Sequence, residues 1–377
     1  MEDHSWTFLR EARRIVVKVG SSTLTYANGK LNLYQMERLV RELADLKNQG
    51  LEIILVSSGA VGAGMGKMDF EERPKNIPEK QALAAIGQGI LMHLYEKFFS
   101  EYGKTVAQVL LTREDLANRD RFLNARNTLL TLLRLGVTPI INENDTVAYE
   151  EIKFGDNDTL AALVAGLIDA DLLIVLSDID GLYTSDPRDD ETAQLIKVVE
   201  EITPEIIEQA GGTKTKLGSG GMVTKLEAAK IASNSGIPML VTNGSREGVI
   251  RETIKGINPG TLFIPREHHR LKTRKAWIAF GSKVKGRLFV DSGAEKALVV
   301  KGKSLLPSGI TAVEGDFQRG NVVSIIGQSG EIARGIVNYA SKEINKLKGC
   351  QSKDIYKILG HKDYDEVIHR DNLTLKV

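Results

Sequence analysis

The sequence predicts an α/β protein with a mostly parallel, doubly wound sheet, followed by a smaller β-rich module. Three observations carry that reading. Short apolar, β-branched runs alternate with helical stretches between residues 14 and 263. Those runs end in clusters of Gly, Ser, Asn and Asp, the place where ligands gather in such sheets. Beyond residue 275 the texture changes to short β-type runs separated by glycines. Charge divides nearby: residues 1–264 hold 29 Lys+Arg and 37 Asp+Glu, whereas 265–377 hold 21 and 12. Opposite balances suggest two domains with different partners. The expected boundaries are 1–265 for the first domain, 266–275 (REHHRLKTRK) for a linker, and 276–377 for the second domain with its tail.

Bulk features exclude several classes. At 377 residues, 42% hydrophobic and 26% charged, the composition is that of an ordinary soluble protein with room for two cores. A single cysteine, Cys350, leaves no internal disulfide and fits a reducing, cytoplasmic setting. The six histidines are scattered, so no His/Cys zinc constellation is visible. No apolar run has membrane-spanning length, and the first residues lack the apolar core of a signal peptide. No membrane partner is expected.

Residues 14–20 (RIVVKVG) are expected to form a buried strand. Lys18 inside it is costly unless paired or bound to an anion, so it is either a phosphate ligand or an edge-strand lysine facing solvent. Residues 33–47 carry a helical stripe that Gly50 ends. A second strand, 53–56, runs into SSGAVGAG at 57–64, a turn and helix start whose amides and hydroxyls suit a carboxylate or phosphate. The order of residues matches neither a Walker A motif nor the dinucleotide fingerprint. Helix over 79–102, strand over 106–111, helix over 119–135 and strand over 137–141 follow.

An acidic stretch comes next. Glu143, Asp145, Glu150, Glu151, Asp156 and Asp158 face one lysine, Lys153, between residues 143 and 158. It is either a solvated loop or a binding site at the strand's carboxyl end. A helix is expected over 159–168 and a strand over 171–177, ending in Asp178-Ile179-Asp180-Gly181. The loop KTKLGSGG at 214–221 precedes a helix over 222–235, with Lys225 in its first turn; such a loop wraps phosphates or lies free on the surface. Strands over 237–242 and 260–263 close the domain.

Seven motifs in order resemble the amino acid kinase family: VVKVGSS (16–22), LVSSGAVGAG (55–64), LTREDLANRDRFLNARNTL (111–129), INENDTV (141–147), IKFGDNDTLAA (152–162), LSDIDGLYTSDPR (176–188) and LGSGGMVTK (217–225). NARNT with INEND and GDND separates the chain from the aspartate, acetylglutamate and carbamate kinases of that fold. The resemblance implies an open αβα sandwich and transfer of phosphate from ATP, with Mg2+, to the γ-carboxylate of L-glutamate, the first step of proline synthesis. It implies a nucleotide site at Lys18, Ser177, Asp178, Ser219, Gly220, Gly221, Met222, Val223, Thr224 and Lys225. It implies a glutamate site at Ser58, Asp145 and Asn157, with Asp145 on the α-ammonium and Asn157 and Ser58 on carboxylates, and it gives Asp158 the role of aligning Lys18 and Lys225 as the catalytic group. No metal ligand of the chain is expected. Inhibition by proline and a homo-oligomer, dimer or tetramer, are implied too. Competing readings are another acyl-phosphate kinase of the same fold, or an RNA-binding protein with a vestigial kinase domain.

In the second domain WIAFG, GRLFVD, KALVV, GITAVEG and NVVSIIG are expected as strands, and residues 286–341 resemble a PUA domain, a small β-barrel best known from RNA-modifying enzymes. The positive charge is compatible with RNA, but the basic residues are dispersed and no aromatic-rich motif accompanies them, which favours a structural or regulatory module. The tail from residue 352 is expected to be helical.

Overall fold

Runs of Val, Ile and Leu buried on both faces form the centre of the first unit. The computed structural model describes residues 6–26, 30–70, 72, 74–148, 157–210, 221–265, 284–328 and 330–375. Two units separate by their contacts, Met1–Arg270 and Leu271–Val377. The segment 266–275, expected as a linker, lies outside the described residues.

The strands of the first unit are β1 (Arg14–Val19), β2 (Glu52–Ser57), β3 (Val106–Leu111), β4 (Thr138–Glu143), β5 (Leu172–Ser177), β6 (Val198–Val199), β7 (Met239–Asn243) and β8 (Thr261–Phe263). They form one sheet in the order β3-β4-β2-β1-β5-β7-β8-β6. Every pair is parallel except β7 with β8. β1 therefore lies in the interior, between β2 and β5, and Lys18 is not on an edge.

Alternation along β1 decides where Lys18 points. Ile15, Val17 and Val19 join Ile53, Leu55, Leu172 and Ile174 in one apolar cluster. With a two-residue period, Val16 and Lys18 face the other side of the sheet. That side is covered by the helix Asn157–Leu167, which packs on β1 and against the helix Met222–Asn234. The lysine is thus delivered to the helix layer rather than to that cluster.

Several boundaries differ from the expectation. β4 runs two residues past 141, through buried Asn142 and Glu143. The following helix starts at Asn157, not 159, with Asp158 in its first turn, where a carboxylate suits the positive end of the helix dipole. A short helix, Arg113–Ala117, is nucleated by a reciprocal cap between Thr112 and Asp115, a signal that five residues of helix make easy to overlook.

The second unit contains β9 (Arg287–Val290), β10 (Ile310–Glu314), β11 (Val322–Gly327), β12 (Gly330–Ile336) and β13 (Leu373–Leu375), in the order β10-β9-β11-β12-β13. WIAFG at 277–281 lies outside the described residues. KALVV is not a strand: it falls in and just after the helix Ser292–Val299. Asp291 caps that helix by accepting from the Ala294 amide at 2.7 Å, and Ala294 and Leu298 lie on the inner stripe. Helical spacing and a cap outweigh two valines. The tail turns through the helix Ile355–Leu359 and returns as β13, which pairs with β12, while Val367 and Ile368 enter the core.

Candidate active site

Four strand ends converge on the site. β1 ends after Lys18, β2 ends in Ser57, β4 ends in Asn142-Glu143, and β5 ends in Ser177. These are the carboxyl ends of neighbouring parallel strands, on both sides of the point where strand order reverses at β1.

The charged half centres on Asp158, which is 1% exposed. Lys18 Nζ lies 2.6 Å from its Oδ1 and Lys225 Nζ 3.3 Å from its Oδ2. Thr224 Oγ1 donates to Oδ2 at 3.0 Å. Burial on its own would push the Asp158 carboxyl up, but the charges of Lys18 and Lys225, with hydrogen bonds from Lys18 and Thr224, hold it well below the usual carboxylate range. Two ammonium groups against one carboxylate leave a buried excess of positive charge, which an incoming anion would neutralise.

The groups expected to bind a nucleotide flank this cluster. Ser177 is buried at the end of β5, and its hydroxyl donates to exposed Asp178 at 3.1 Å. Gly221, Met222, Val223, Thr224 and Lys225 form the start of the helix Met222–Asn234, whose N-terminus has no side-chain cap. Among the described residues no side chain of the N-cap, Gly221, covers its first amides, which are groups that suit phosphate oxygens. Ser219 and Gly220 lie outside the described residues.

The neutral half is built from amides and hydroxyls. Gly59, at φ +104°, makes the turn between β2 and the helix Ala60–Lys67, a conformation that favours glycine. Ser58 precedes it, with its amide donating to the Val19 carbonyl at 3.1 Å. Asn157 Nδ2 is within reach of Ser58 Oγ at 2.8 Å, Asn142 Oδ1 at 2.9 Å and the Ser57 carbonyl at 3.3 Å. Asn142 Nδ2 donates to Gln88 Oε1 at 2.8 Å. Asp145, half-buried, lies in the turn three residues beyond Asn142. Glu150, Glu151, Lys153 and Asp156 lie outside the described residues.

The structure thus joins Lys18, Asp158 and Lys225 in one cluster and Ser58 with Asn157 in another. Sequence reasoning missed the bond from Thr224 to Asp158, and the places of Asn142 and Gln88. Asn142 sits inside a motif that drew notice for its carboxylates; Gln88 lies mid-helix, where no local signal marks it.

A buried cation pair around one carboxylate, at the carboxyl ends of a parallel sheet, defines a phosphoryl-transfer type of site. Residues 13–243 match the amino acid kinase family, and residues 286–359 match the PUA domain. The chain belongs to the amino acid kinase family. A glutamate 5-kinase of a Thermoanaerobacter species is 58% identical over 363 residues, 96% of this chain and 97% of that protein. Glutamate 5-kinase of Caldanaerobacter subterraneus subsp. tengcongensis is 60% identical over the same shares. That of Moorella thermoacetica is 57% identical over 368 residues, 97% of each chain. No helix among the described residues is long and apolar enough to cross a membrane.

Proposed function

We propose that the chain transfers the γ-phosphoryl group of ATP to the γ-carboxylate of L-glutamate, giving ADP and γ-glutamyl 5-phosphate, the first step of proline biosynthesis. One observation carries the proposal: the buried Lys18–Asp158–Lys225 cluster lies in a chain 57–60% identical to glutamate 5-kinases over nearly all its length.

The nucleophile needs no activation, because a glutamate side chain, with a reference pKa of about 4.3, is ionised at neutral pH. The obstacle is bringing one anion onto another, so rate comes from positioning and charge neutralisation. Lys18 and Lys225 supply the positive charge at the transferring phosphoryl group. Asp158 holds both ammonium groups in register and relieves their repulsion; Thr224 fixes the carboxylate that does so. Ser177, Asp178 and the segment 219–225 hold the nucleotide. Ser58, Asp145 and Asn157 hold glutamate.

A magnesium ion bound with the nucleotide would offset phosphate charge. Among the described residues no group of three His, Cys, Asp or Glu is placed to hold a metal, and Asp158 is engaged by two lysines. A magnesium ion carried by the nucleotide phosphates and water would need no such group.

The family implies the first two of three further properties, and the third rests on the basic segment at the charge switch and the dispersed basic residues beyond it. Proline inhibits at or overlapping the glutamate pocket; the chain assembles as a dimer or tetramer; and residues 266–275 link the kinase domain to a structural or regulatory module rather than an RNA-binding one. The test of the whole is ATP-dependent hydroxamate formation with glutamate, with and without proline, and with aspartate and acetylglutamate as rival acceptors. Absence of a glutamate-dependent product overturns the central claim.

A further inference from the structure

The amides of the neutral half have a definite polarity, which two backbone groups identify. The Glu143 N–H, which can only donate, points at Asn142 Oδ1 at 2.9 Å. Asn142 must therefore turn its Nδ2 the other way, where Gln88 Oε1 accepts it at 2.8 Å. The Ser57 carbonyl, which can only accept, lies 3.3 Å from Asn157, so Nδ2 of that residue faces inward, toward Ser57, Ser58 and Asn142. Two consequences follow. Asn157 Oδ1 is buried and has no partner among the described residues. Ser58 Oγ, already accepting from Asn157, keeps its own proton for a different acceptor.

The pair presents one vacant acceptor beside one available donor. A carboxylate cannot satisfy Asn157 Oδ1; an ammonium can. A carboxylate suits the Ser58 hydroxyl. That is the complement of an α-amino acid head, with cation and anion on one carbon. A buried acceptor without a donor costs free energy, so a ligand lacking the ammonium leaves that cost in place.

Gln88 stands at the far end of this chain and is held there by close packing. It follows Gly87, where a Cβ would overlap the Ala60 carbonyl and crowd the Gly64 amide. Gly64 in turn has no room for a Cβ against the Leu83 carbonyl. The helix Ile77–Glu101 therefore sits directly on the helix Ala60–Lys67, which follows the turn that carries Ser58.

We infer that Gln88 is a positioning residue which, through Asn142, holds Asn157 with its oxygen toward the substrate, so that Asn157 takes the α-ammonium and Ser58 a carboxylate. This rests on the glutamate-kinase reading above and reassigns Asn157 from the carboxylate role that the resemblance implied.

The experiment compares L-glutamate with glutarate, which keeps both carboxylates and lacks the ammonium. In the full chain with magnesium-ATP, the glutamate KM and the glutarate inhibition constant are measured for wild type, Gln88→Met and Gln88→Glu. The methionine variant removes the acceptor for Asn142. Its glutamate KM is expected to rise about tenfold, with kcat and the ATP KM within about threefold and glutarate affinity within about threefold. The glutamate variant keeps an acceptor and restores the glutamate preference to within about threefold of wild type. A merely structural role would weaken glutamate and glutarate together. Parallel loss of both, no loss of either, or a Gln88→Glu variant that has lost the preference overturns the inference. The wild-type arm stands apart: if it forms no glutamate-dependent product, the kinase reading fails first, whereas an active wild type with an unmoved ratio in Gln88→Met defeats only the positioning role. If Gln88→Met does not fold, Gln88→Ala takes its place with the same expected ratios, since it too removes the acceptor for Asn142.

Discussion

The two halves of the site are both buried and solve opposite problems. Around Asp158, burial is made tolerable by charge against charge, with Lys18 and Lys225 on the two carboxylate oxygens. Around Asn157, the bonded side chains are amides and hydroxyls, and burial is made tolerable by direction: their bonds leave one acceptor, Asn157 Oδ1, and one donor, the Ser58 hydroxyl, for the ligand. The charged half can stabilise a developing negative charge whatever molecule bears it. The neutral half cannot move charge, but it can tell one small acid from another. In the proposed function rate and selectivity come from separate side chains, joined in sequence at the step from Asn157 to Asp158.

That division can be broken from either side. The largest effect is expected from Lys18→Ala or Lys225→Ala, each lowering kcat about 10²–10³-fold with little change in glutamate KM, as for loss of a preorganised charge. An unchanged kcat in Lys18→Ala removes the charged half from the mechanism. Asp158→Asn should destabilise the fold by about 3–5 kcal/mol, because two buried ammonium groups lose their countercharge. Urea unfolding at pH 7 measures it. The same pair of proteins tests the sign of the Asp158 shift. The carboxyl is held below its unfolded value of 3.8, so the stability it contributes is fully present above that pH and is lost as pH falls through the lower folded value. The gap between wild type and Asp158→Asn should therefore be constant from pH 5 to 7 and close below about pH 3.8. A gap that closes near neutrality means the carboxyl is not depressed.

Smaller changes sharpen the neutral half. Gly87→Ala places a methyl against backbone on the neighbouring helix, which cannot yield as a side chain would. A loss of about 1–3 kcal/mol is expected in thermal or urea unfolding, with a weaker glutamate affinity in the folded enzyme. Tyr95→Phe is the mildest. It removes a buried hydroxyl 2.8 Å from Ser57 Oγ and should cost about 1 kcal/mol with kcat unchanged. A large kcat defect there would join the two halves more tightly than their contacts do.

Part of the charged half was legible in the sequence, because a lysine in an apolar strand is costly unless it meets an anion. Asp158, 140 residues from Lys18, is ordinary at a helix start, and its role came from the resemblance alone. The neutral half was less legible for the same reason. Ser58 and Asn157 stood out by motif, but glutamine is at home in a helix, and nothing near Gln88 shows that its amide ends beneath β4. The doubly wound sheet was readable from alternation alone, since a parallel strand buried on both faces has a distinctive run of β-branched residues. Helix Ser292–Val299 was not, because its two closing valines favour a strand locally and its cap and inner stripe decide otherwise.

The return of the tail has a consequence for how the polypeptide is made. The PUA match ends at residue 359, but Val367, Ile368 and Leu373 are core residues of the second unit, and β13 supplies its last strand. The first unit needs nothing beyond its own span for its sheet, so it can fold while synthesis continues. The second unit must wait until those late residues have emerged. Until then the edge of β12 and the backbone of Leu305, which pairs with Ile368, stay open, and during that interval the newborn chain is most vulnerable to proteases and to mispairing with its neighbours.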